Sequence, residues 1–150
     1  MVRVEVITPE RVAYEGEGTL ITIPTSDGVL GVGGGHIPLL ASLKAGEVIV
    51  RKASGDEHLA VAGGFVEILP DIVRIMADSA EHAHELDELA IKEAIASAQR
   101  AKEEASGKVQ FIQANALIEH NLARLKVAQR KRSHGGRPTM SAENADHFVN

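Results

Sequence analysis

The spacing of apolar residues changes once along this 150-residue chain, and that change constrains the fold more than any other feature. Before residue 84, apolar and polar side chains alternate in short segments such as Val2-Arg3-Val4-Glu5-Val6. A period of two is typical of half-buried β-strands. After Glu85, apolar residues recur every three or four positions, which is the spacing of an amphipathic helix. The sequence therefore predicts a β domain followed by an α domain.

Glycine and proline divide the first part into short predicted strands at intervals of about ten residues. Turn signals stand at Thr8-Pro9, Ser54-Gly55 and Pro70-Asp71, among others. This pattern favours an antiparallel β-sandwich or barrel. We assign residues 1–84 to this domain. Its core must be aliphatic, because only 3% of the residues are aromatic and tryptophan is absent.

Residues 85–132 predict an antiparallel two-helix hairpin, because Ser106-Gly107 stops the first helix shortly before the second begins. The stripe of the first helix consists of Ala90, Ala94, Ala98, Ala101 and Ala105. The stripe of the second consists of Phe111, Ala114, Ile118, Leu122 and Leu125. Each stripe should cover the other.

The predicted hairpin is marginal by itself. At about 25 cal/mol per Å2 of apolar surface, an alanine-rich seam barely offsets the entropy lost on ordering two helices. The hairpin therefore needs a neighbour, either the sandwich or another protein. If both are available, it is a two-state element.

The charges are unevenly distributed. A formal net charge of -5 argues against a nucleic-acid partner, because binding phosphates requires a basic face. Residues 1–84 hold six Lys or Arg against twelve Asp or Glu. Residues 120–132 hold no acid and carry Arg124, Lys126, Arg130, Lys131 and Arg132. A basic helix end of this kind favours an acidic protein partner.

Several other features bound the protein class. There are no cysteines, so disulfides and thiolate metal sites are excluded. No apolar run approaches the length of a membrane span, and the first residues lack a signal-peptide pattern. We expect a protein that is soluble or peripheral to a membrane. Residues 133–150 lose apolar periodicity, and we interpret them as a disordered tail.

The glycine-rich stretch from Asp27 to Val48 permits more than one interpretation. Glycines at such density mark backbone with positive φ or close contacts. A phosphate cradle would require the glycines to lead into a helix, whereas Pro38 biases Ile37 away from helix, and no lysine follows before Lys44. The stretch is then either a structural loop or a loop that docks on another protein.

Residues for catalysis are sparse. His82 and His84 stand two apart at the end of the strand pattern, and nothing nearby completes a metal-ligand set. There is no Gly-x-Ser-x-Gly elbow and no Ser-x-x-Lys motif. We expect no catalytic residues, no metal and no cofactor, and we interpret the chain as a binding and coupling protein. A generic β-sandwich adaptor and a metal-dependent sandwich enzyme are the alternatives.

Several sequence blocks, in their order, resemble the epsilon subunit of F-type ATP synthases over residues 2–132. The blocks are Val6-Ile7-Thr8-Pro9-Glu10, Asp27-Gly28-Val29-Leu30-Gly31, Gly35-His36-Ile37-Pro38-Leu39-Leu40, Leu43-Lys44-Ala45-Gly46, Gly63-Gly64-Phe65-Val66-Glu67 and Ala77-Asp78-Ser79-Ala80-Glu81.

The resemblance implies a non-catalytic subunit of the rotating central stalk, peripheral to the cytoplasmic face of the bacterial inner membrane. It implies that the sandwich packs on the gamma subunit and that ion-driven rotation of the c-ring is coupled to ATP synthesis. The loop facing the c-ring would comprise Asp27, Gly28, Val29, Leu30, Gly31, Gly35, His36 and Pro38. The hairpin would inhibit ATP hydrolysis at the alpha/beta catalytic head, through Arg124, Lys126, Arg130, Lys131 and Arg132.

The chain departs from the family pattern at two places. Some bacterial members bind ATP through Ile/Leu-Asp-x-x-Arg-Ala near the start of the first helix, and the matching residues here include Leu86, Asp87 and Ala90. Ala90 replaces the arginine, so we predict weak or no ATP binding. Val29 stands where some members have an acid, which removes a charged contact to the ring.

Overall fold

The computed structural model describes residues 1–135, with side chains for residues 1–130. Eight strands come first: β1 (Val2–Ile7), β2 (Val12–Gly18), β3 (Leu20–Thr25), β4 (Gly28–Val32), β5 (Leu39–Ser42), β6 (Gly46–Arg51), β7 (Glu57–Ile68) and β8 (Ile72–His82). A 3-10 turn, Ala83–Glu85, leads to helices α1 (Glu88–Glu103) and α2 (Lys108–Gly135). The predicted order of a β-sandwich and two helices is confirmed. Of the predicted tail, residues 136–150 lie outside the described residues.

The strands form one sheet, folded on itself, in the order β2-β1-β8-β7-β6-β3-β4, with β5 also paired to β7. The expectation of a purely antiparallel sandwich is wrong for one pair, because β1 and β8 run parallel. All other strand pairs among the described residues are antiparallel. Parallel neighbours need a long connection, and the first and last strands of the domain have one. Alternation of apolar residues carries no information about strand direction.

The two longest strands change faces halfway along. In β7 the core residues are Leu59 and Val61 before the change and Val66 and Ile68 after it, so the buried position shifts from odd to even numbers. Between them, Gly63 and Gly64 have φ of 60° and 104°. A Cβ on Gly64 would overlap the carbonyl oxygen of Met76 on β8. These glycines let the ladder bend from one layer of the sandwich into the other.

The molecule has two separate apolar clusters. The larger one, the sandwich core, is drawn entirely from residues 2–80 and consists of Val, Ile, Leu and Ala, as the sequence predicts. The smaller one, which we call the hairpin cluster, joins Ala60 of β7 to Leu86, Ile91, Val127 and Ala128. The hairpin is therefore seated on the sandwich and contributes nothing to the sandwich core.

The helices form the predicted antiparallel hairpin, but its seam is narrower than predicted. In α1 only Ile91 and Ala98 are buried, and Ala90 and Ala101 are exposed. In α2, Ala114 and Ile118 are buried as predicted, whereas Phe111 and Leu122 are exposed. Exposure of these predicted seam residues leaves apolar surface uncovered on both helices.

Candidate functional site

The segment predicted to face a c-ring is only partly a loop. Gly28–Val32 form strand β4, which pairs with β3, and the turn at residues 26–27 and the loop at residues 33–38 lie on either side of it. Gly28 needs its positive φ of 118° to make the β3–β4 turn. Its carbonyl oxygen accepts a bond of 2.6 Å from the Thr25 hydroxyl. The turn at Asp27 is therefore rigidly placed at one end of the sandwich.

This end of the sandwich, which we call the tip, presents apolar side chains to solvent. Val29 is 74%, Ile37 75% and Leu40 67% exposed. Val29 and Leu40 line opposite sides of an open groove between the edges of β4 and β5. His36 is half-buried, and its Nδ1 lies 2.6 Å from the backbone oxygen of Ile37, so the ring stabilises the loop. Exposed apolar residues in a cluster indicate an interaction surface.

A second apolar surface, which the sequence pattern does not predict, lies on the outer face of the sheet. Four side chains stand side by side on adjacent strands, in the pairs Phe65 with Met76, Met76 with Ile7, and Ile7 with Val12. Phe65 is 54% and Val12 58% exposed. We call them the outer row. The sequence does contain a large apolar residue at an outward position of each of these strands, but only the order of the strands shows that these residues are neighbours.

The outer row is bordered by a charged row. Two residues further along each strand, on the same face, Glu67 lies opposite Arg74, and Arg74 opposite Glu5. The Arg74 Nε atom is 3.4 Å from a Glu5 carboxylate oxygen, and its second contact, to Glu67, is 4.0 Å. An apolar strip with a polar rim is the usual composition of a protein interface.

The hairpin is held on the sandwich by two arginine–glutamate pairs, which we call the docking pairs. Arg124 donates to both carboxylate oxygens of Glu81, at 2.9 and 3.1 Å. Arg130 donates to both oxygens of Glu47, at 3.0 and 2.8 Å. Such two-point bonds are stronger and more directional than ordinary surface ion pairs. Both glutamates belong to the sandwich, so the predicted basic end of the hairpin finds its acidic partner within the same chain.

Glu47 is the more deeply buried of the two acceptors, with 4% of its side chain exposed. Burial raises its pKa, but the hydrogen bonds and charge of Arg130, with a contribution from His58, outweigh burial and hold the pKa below its ordinary value. The His58 Nδ1 atom is 3.1 Å from the same carboxylate. Glu47 is therefore ionised when the hairpin is docked.

The other predicted contacts of the basic helix end differ from these two. Lys126 is exposed and forms no hydrogen bond or ion pair with another described residue. Lys131 and Arg132 lie in the last part of α2, and their side chains lie outside the described residues. Next to Arg124, burial and the arginine charge lower the pKa of His120, and Glu81 opposes them.

The residues that match an ATP-binding pattern have structural roles here. Asp87 is the N-cap of α1 and accepts bonds from the backbone of Leu89 and Ala90 at 3.0 and 3.3 Å. Leu86 is buried in the hairpin cluster. Ala90 is exposed and offers only a methyl group. None of these three side chains carries a positive charge.

His82 and His84, which were considered as metal ligands, make other contacts within the protein. The His82 Nδ1 atom is 2.7 Å from a Glu57 carboxylate oxygen, and its Nε2 atom is 2.6 Å from the Ala13 carbonyl oxygen. The His84 ring stacks on the His82 ring at 5.2 Å. Within residues 1–130 no group of three or more potential ligands is gathered. In the part of the chain that is described, no helix is long and apolar enough to cross a membrane.

Comparison with known proteins agrees with the geometry. Residues 1–83 match the family model described as ATP synthase, Delta/Epsilon chain, beta-sandwich domain. The ATP synthase epsilon chain of Syntrophobacter fumaroxidans is 36% identical over 129 residues, which are 86% of this chain and 96% of that protein. The epsilon chain of Shouchella clausii is 36% identical over 131 residues, which are 87% of this chain and 96% of that protein.

A solved structure shares the fold. A chain of the Euglena gracilis mitochondrial ATP synthase, from a cryo-EM structure of its OSCP/F1/c-ring part, superposes with a TM-score of 0.73 at 22% identity. The match covers 85% of this chain and 80% of the other. The relatives extend across both the sandwich and the hairpin, and the family model takes in more than half of the chain. The chain therefore belongs to the family of ATP synthase epsilon chains.

Proposed function

We propose that the protein couples ion-driven rotation of the c-ring to ATP synthesis and that its hairpin restrains ATP hydrolysis. As an epsilon chain it is a non-catalytic subunit of the central stalk of ATP synthase, which is a membrane-associated complex. We place it on the cytoplasmic face of the inner membrane, since the similar epsilon chains come from bacteria. The three surfaces described above supply the contacts that this function requires.

The outer row supports a docking site for the gamma subunit. A stalk subunit must stay attached to its rotor under torque, which requires an apolar contact with a polar rim. Phe65 and Met76 lie at the centre of such a strip, and the hairpin packs on the other outer face, at Ala60. The sandwich can therefore hold gamma whether or not the hairpin is docked.

The tip supports a contact with the c-ring. Val29, Ile37 and Leu40 lie at the end of the sandwich, and Asp27 and His36 flank them in the chain. Because the apolar side chains predominate, we expect packing to contribute more than charge to this contact. We therefore assign the contact with the c-ring to the tip and the contact with gamma to the outer row.

The observation that carries the inhibitory proposal is the way the hairpin is held. Among the described residues, the strands contribute one buried residue, Ala60, to the hairpin cluster. Two docking pairs supply charged bonds, and the Ser79 Oγ atom lies 3.4 Å from the His120 Nε2 atom. Six large apolar side chains of the hairpin stay exposed when it is docked: Leu89, Val109, Phe111, Ile112, Leu117 and Leu122. A helix pair that is weakly seated and incompletely covered is suited to binding a second surface.

The docking pairs also explain how the two states exclude each other. Arg124 and Arg130 are among the residues that we expect to contact the acidic catalytic head, yet in this structure both are bound to glutamates of the sandwich. One guanidinium cannot hold both partners. The docked hairpin is therefore unavailable to the head, and inhibition requires its release.

Truncation tests the proposal. The sandwich core contains no hairpin residue, so a chain ending at Glu85 should assemble normally. We expect the assembled enzyme with this truncated chain to hydrolyse ATP several-fold faster than the enzyme with the full chain, with gamma still co-purifying. Introducing a charge into the outer row, in Phe65→Asp, should instead release the subunit from gamma. Unchanged hydrolysis after truncation would refute inhibition by the hairpin, and retention of gamma by the Phe65 variant would refute the docking site.

A further inference from the structure

An apolar cleft lies between the first half of α2 and the sandwich. Its volume is about 580 Å3, which is within the range of small-molecule sites in proteins. The sandwich wall comes from the β5–β6 turn and from the bend of β7, and the other wall comes from two turns of α2. The lining residues are Ala45, Ala62, Gly63, Gln113, Ala116, Leu117, Glu119 and His120. The cleft therefore has room for a small organic molecule.

The walls of the cleft are mostly apolar. Ala45 and Ala62 on the sandwich and Ala116 on α2 present methyl groups, and Gly63 presents bare backbone. Leu117 is the largest apolar side chain among the lining residues, and it stays 54% exposed although the hairpin is docked. An apolar molecule in the cleft would cover Leu117 on one side and the sandwich methyl groups on the other. Removal of this surface from water favours binding.

The ionisable groups around the cleft are acidic or neutral. Glu119 is exposed on the helix wall. A Cβ on Gly63 would overlap the Asp78 carboxylate, so that carboxylate lies against the backbone of the sandwich wall. Neither of the two carboxylates forms a hydrogen bond or ion pair with another described residue. Burial and the charge of Arg124 lower the pKa of His120, so its imidazole is neutral at pH 7.

The cations near the cleft do not offset these carboxylates. Lys44 precedes Ala45 in the chain but does not line the cleft, and Arg124 belongs to a docking pair. In the polar hollow that Asp78 lines, Arg11 is bound to the Glu85 carboxylate at 2.7 Å. Two carboxylates without a matching cation favour a positively charged ligand.

The cleft is separate from the residues that match an ATP-binding pattern. Leu86, Asp87 and Ala90 do not line it, and neither does any residue of α1. Its charge is also opposite to that of a phosphate site, because a triphosphate would face Asp78 and Glu119 without a cation to offset them. The cleft is therefore unsuited to a nucleotide.

We propose that the cleft binds a small organic cation with an apolar body, of the arylalkylamine class. The apolar body packs between Leu117 and the alanine methyl groups of the two walls, and the ammonium group faces the carboxylates of Asp78 and Glu119. A ligand in this position touches the sandwich and α2 at once, so it binds the docked hairpin and not the detached one. At ten times its Kd it raises the ratio of docked to detached molecules about elevenfold. This consequence rests on the proposed release of the hairpin, whereas the binding does not.

A pair of probes that differ in charge tests the site. 2-Phenylethylamine is the probe, and 3-phenylpropanoate, which carries a carboxylate on the same phenylethyl body, is its matched control. Each is titrated at pH 7 into the full 15N-labelled chain, and the amide chemical shifts are followed by NMR. We expect the amine to shift the amides of Ala45, Ala62 and Ala116 with a Kd on the order of 1 mM. The carboxylate should bind about tenfold more weakly. Equal binding of the two probes, or amide shifts confined to other surfaces, would overturn the proposal.

A variant that fills the cleft makes the location specific. Ala116→Phe should abolish the amide shifts of Ala45 and Ala62, because the new ring occupies the place of the apolar body. Ala101→Phe adds the same side chain at an exposed position of α1 outside the cleft and should leave the shifts unchanged. Shifts that persist in Ala116→Phe would place the amine elsewhere.

A second pair of variants tests the carboxylates. Asp78→Asn combined with Glu119→Gln should bring the affinities for the amine and for the carboxylate probe together. The control combines Asp56→Asn with Glu103→Gln, which removes the same charge from exposed positions outside the cleft, and should preserve the difference. Equal effects of the two double variants would mean that the net charge of the chain, and not the cleft, attracts the amine.

Removal of residues 136–150 tests the other possible occupant, which is the chain's own C-terminal segment. If this removal shifts the amides of Ala45 and Ala62 without any probe and tightens binding of the amine, that segment occupies the cleft and the proposal fails. In the assembled enzyme, the amine should raise ATP hydrolysis with the full chain and not with the chain ending at Glu85. Binding without this rise would refute inhibition by release and leave the site in place, whereas absence of binding would refute the site alone.

Discussion

The sandwich and the hairpin of this protein are stabilised in different ways, although both are built from aliphatic residues. The sandwich core contains eighteen buried residues, all from residues 2–80. The hairpin shares with the sandwich a cluster of five buried residues, of which Ala60 alone comes from a strand, and the two docking pairs add charged bonds. The difference indicates how one chain can combine a stable domain with a detachable one: most of its buried apolar residues belong to the first, and few hold the second in place.

The largest expected effect is a change at the glycine pair that bends the sandwich. In Gly64→Ala the new methyl group would meet the Met76 carbonyl oxygen at a φ of 104°, so we expect a loss of roughly 4 kcal/mol in the free energy of unfolding. Gly55→Ala is the matched control, because Gly55 has a φ of 124° with no heavy atom within 4 Å. Urea unfolding followed by circular dichroism measures both. Equal losses would show that steric overlap at the bend is unimportant.

The second prediction compares one buried residue from each cluster. Ile75 and Val127 are both fully buried, but Ile75 belongs to the sandwich core and Val127 to the hairpin cluster. Ile75→Ala should destabilise the sandwich by roughly 3 kcal/mol. Val127→Ala should leave the unfolding midpoint of the sandwich unchanged and increase the detached fraction of the hairpin. Double electron–electron resonance between spin labels at Asp71→Cys in the sandwich and Gln99→Cys on α1 measures this fraction, since the chain has no native cysteine. A lower sandwich midpoint in Val127→Ala would mean that the two regions form one cooperative unit.

The third prediction concerns the docking pairs. Arg130→Gln removes a two-point bond to Glu47, whose side chain is 4% exposed, and we expect docking to weaken by about 1–2 kcal/mol once the partial exposure of the guanidinium is considered. Lys126→Gln removes the same charge from an exposed position on the same helix and should change docking by less than about 0.5 kcal/mol. If both variants weaken docking equally, general attraction between the basic helix and the acidic sandwich holds the hairpin.

In both regions, the sequence predicts features that depend on a local apolar pattern and does not predict those that depend on which segments pack together. The strands of the sandwich were predictable because each strand buries one face, and apolar residues at every second position mark that face. The parallel pairing of β1 with β8 and the outer row were not, since both depend on which strands become neighbours. For the hairpin, its existence and its turn at Ser106-Gly107 were predictable from helical spacing. Its narrow seam was not, because alanine fits buried and exposed helix positions almost equally well.

The candidate site shows the same division. The basic residues of α2 were identifiable from composition, but their binding to Glu47 and Glu81 required the three-dimensional structure. Glu47 and Arg130 are 83 positions apart, and no local pattern links them. The bond between Arg11 and Glu85 was likewise hidden, since the two residues are 74 positions apart.

The smallest expected effect is on pH dependence. Burial, assisted by the charge of Arg124, lowers the pKa of His120 in the docked state below its ordinary value of 6.5. The detached hairpin would expose His120 to water, so the detached state binds a proton more readily. Docking is therefore at full strength above about pH 6.5 and weakens as the pH falls below it. Glu47 affects docking in a separate pH range. Because docking lowers the pKa of Glu47, its contribution to docking is lost only as the pH falls below the ordinary glutamate pKa of 4.5.

Because the two pH ranges are separate, the spin labels at residues 71 and 99 can test whether His120 causes the response near pH 6.5. Between pH 8 and pH 5.5 the detached fraction of the unmodified chain should rise, by less than in Arg130→Gln, and His120→Gln should flatten this rise. An undiminished rise in His120→Gln would move the pH response from α2 to the sandwich, which would mean that the permanent part of the molecule, and not the detachable part, senses the proton.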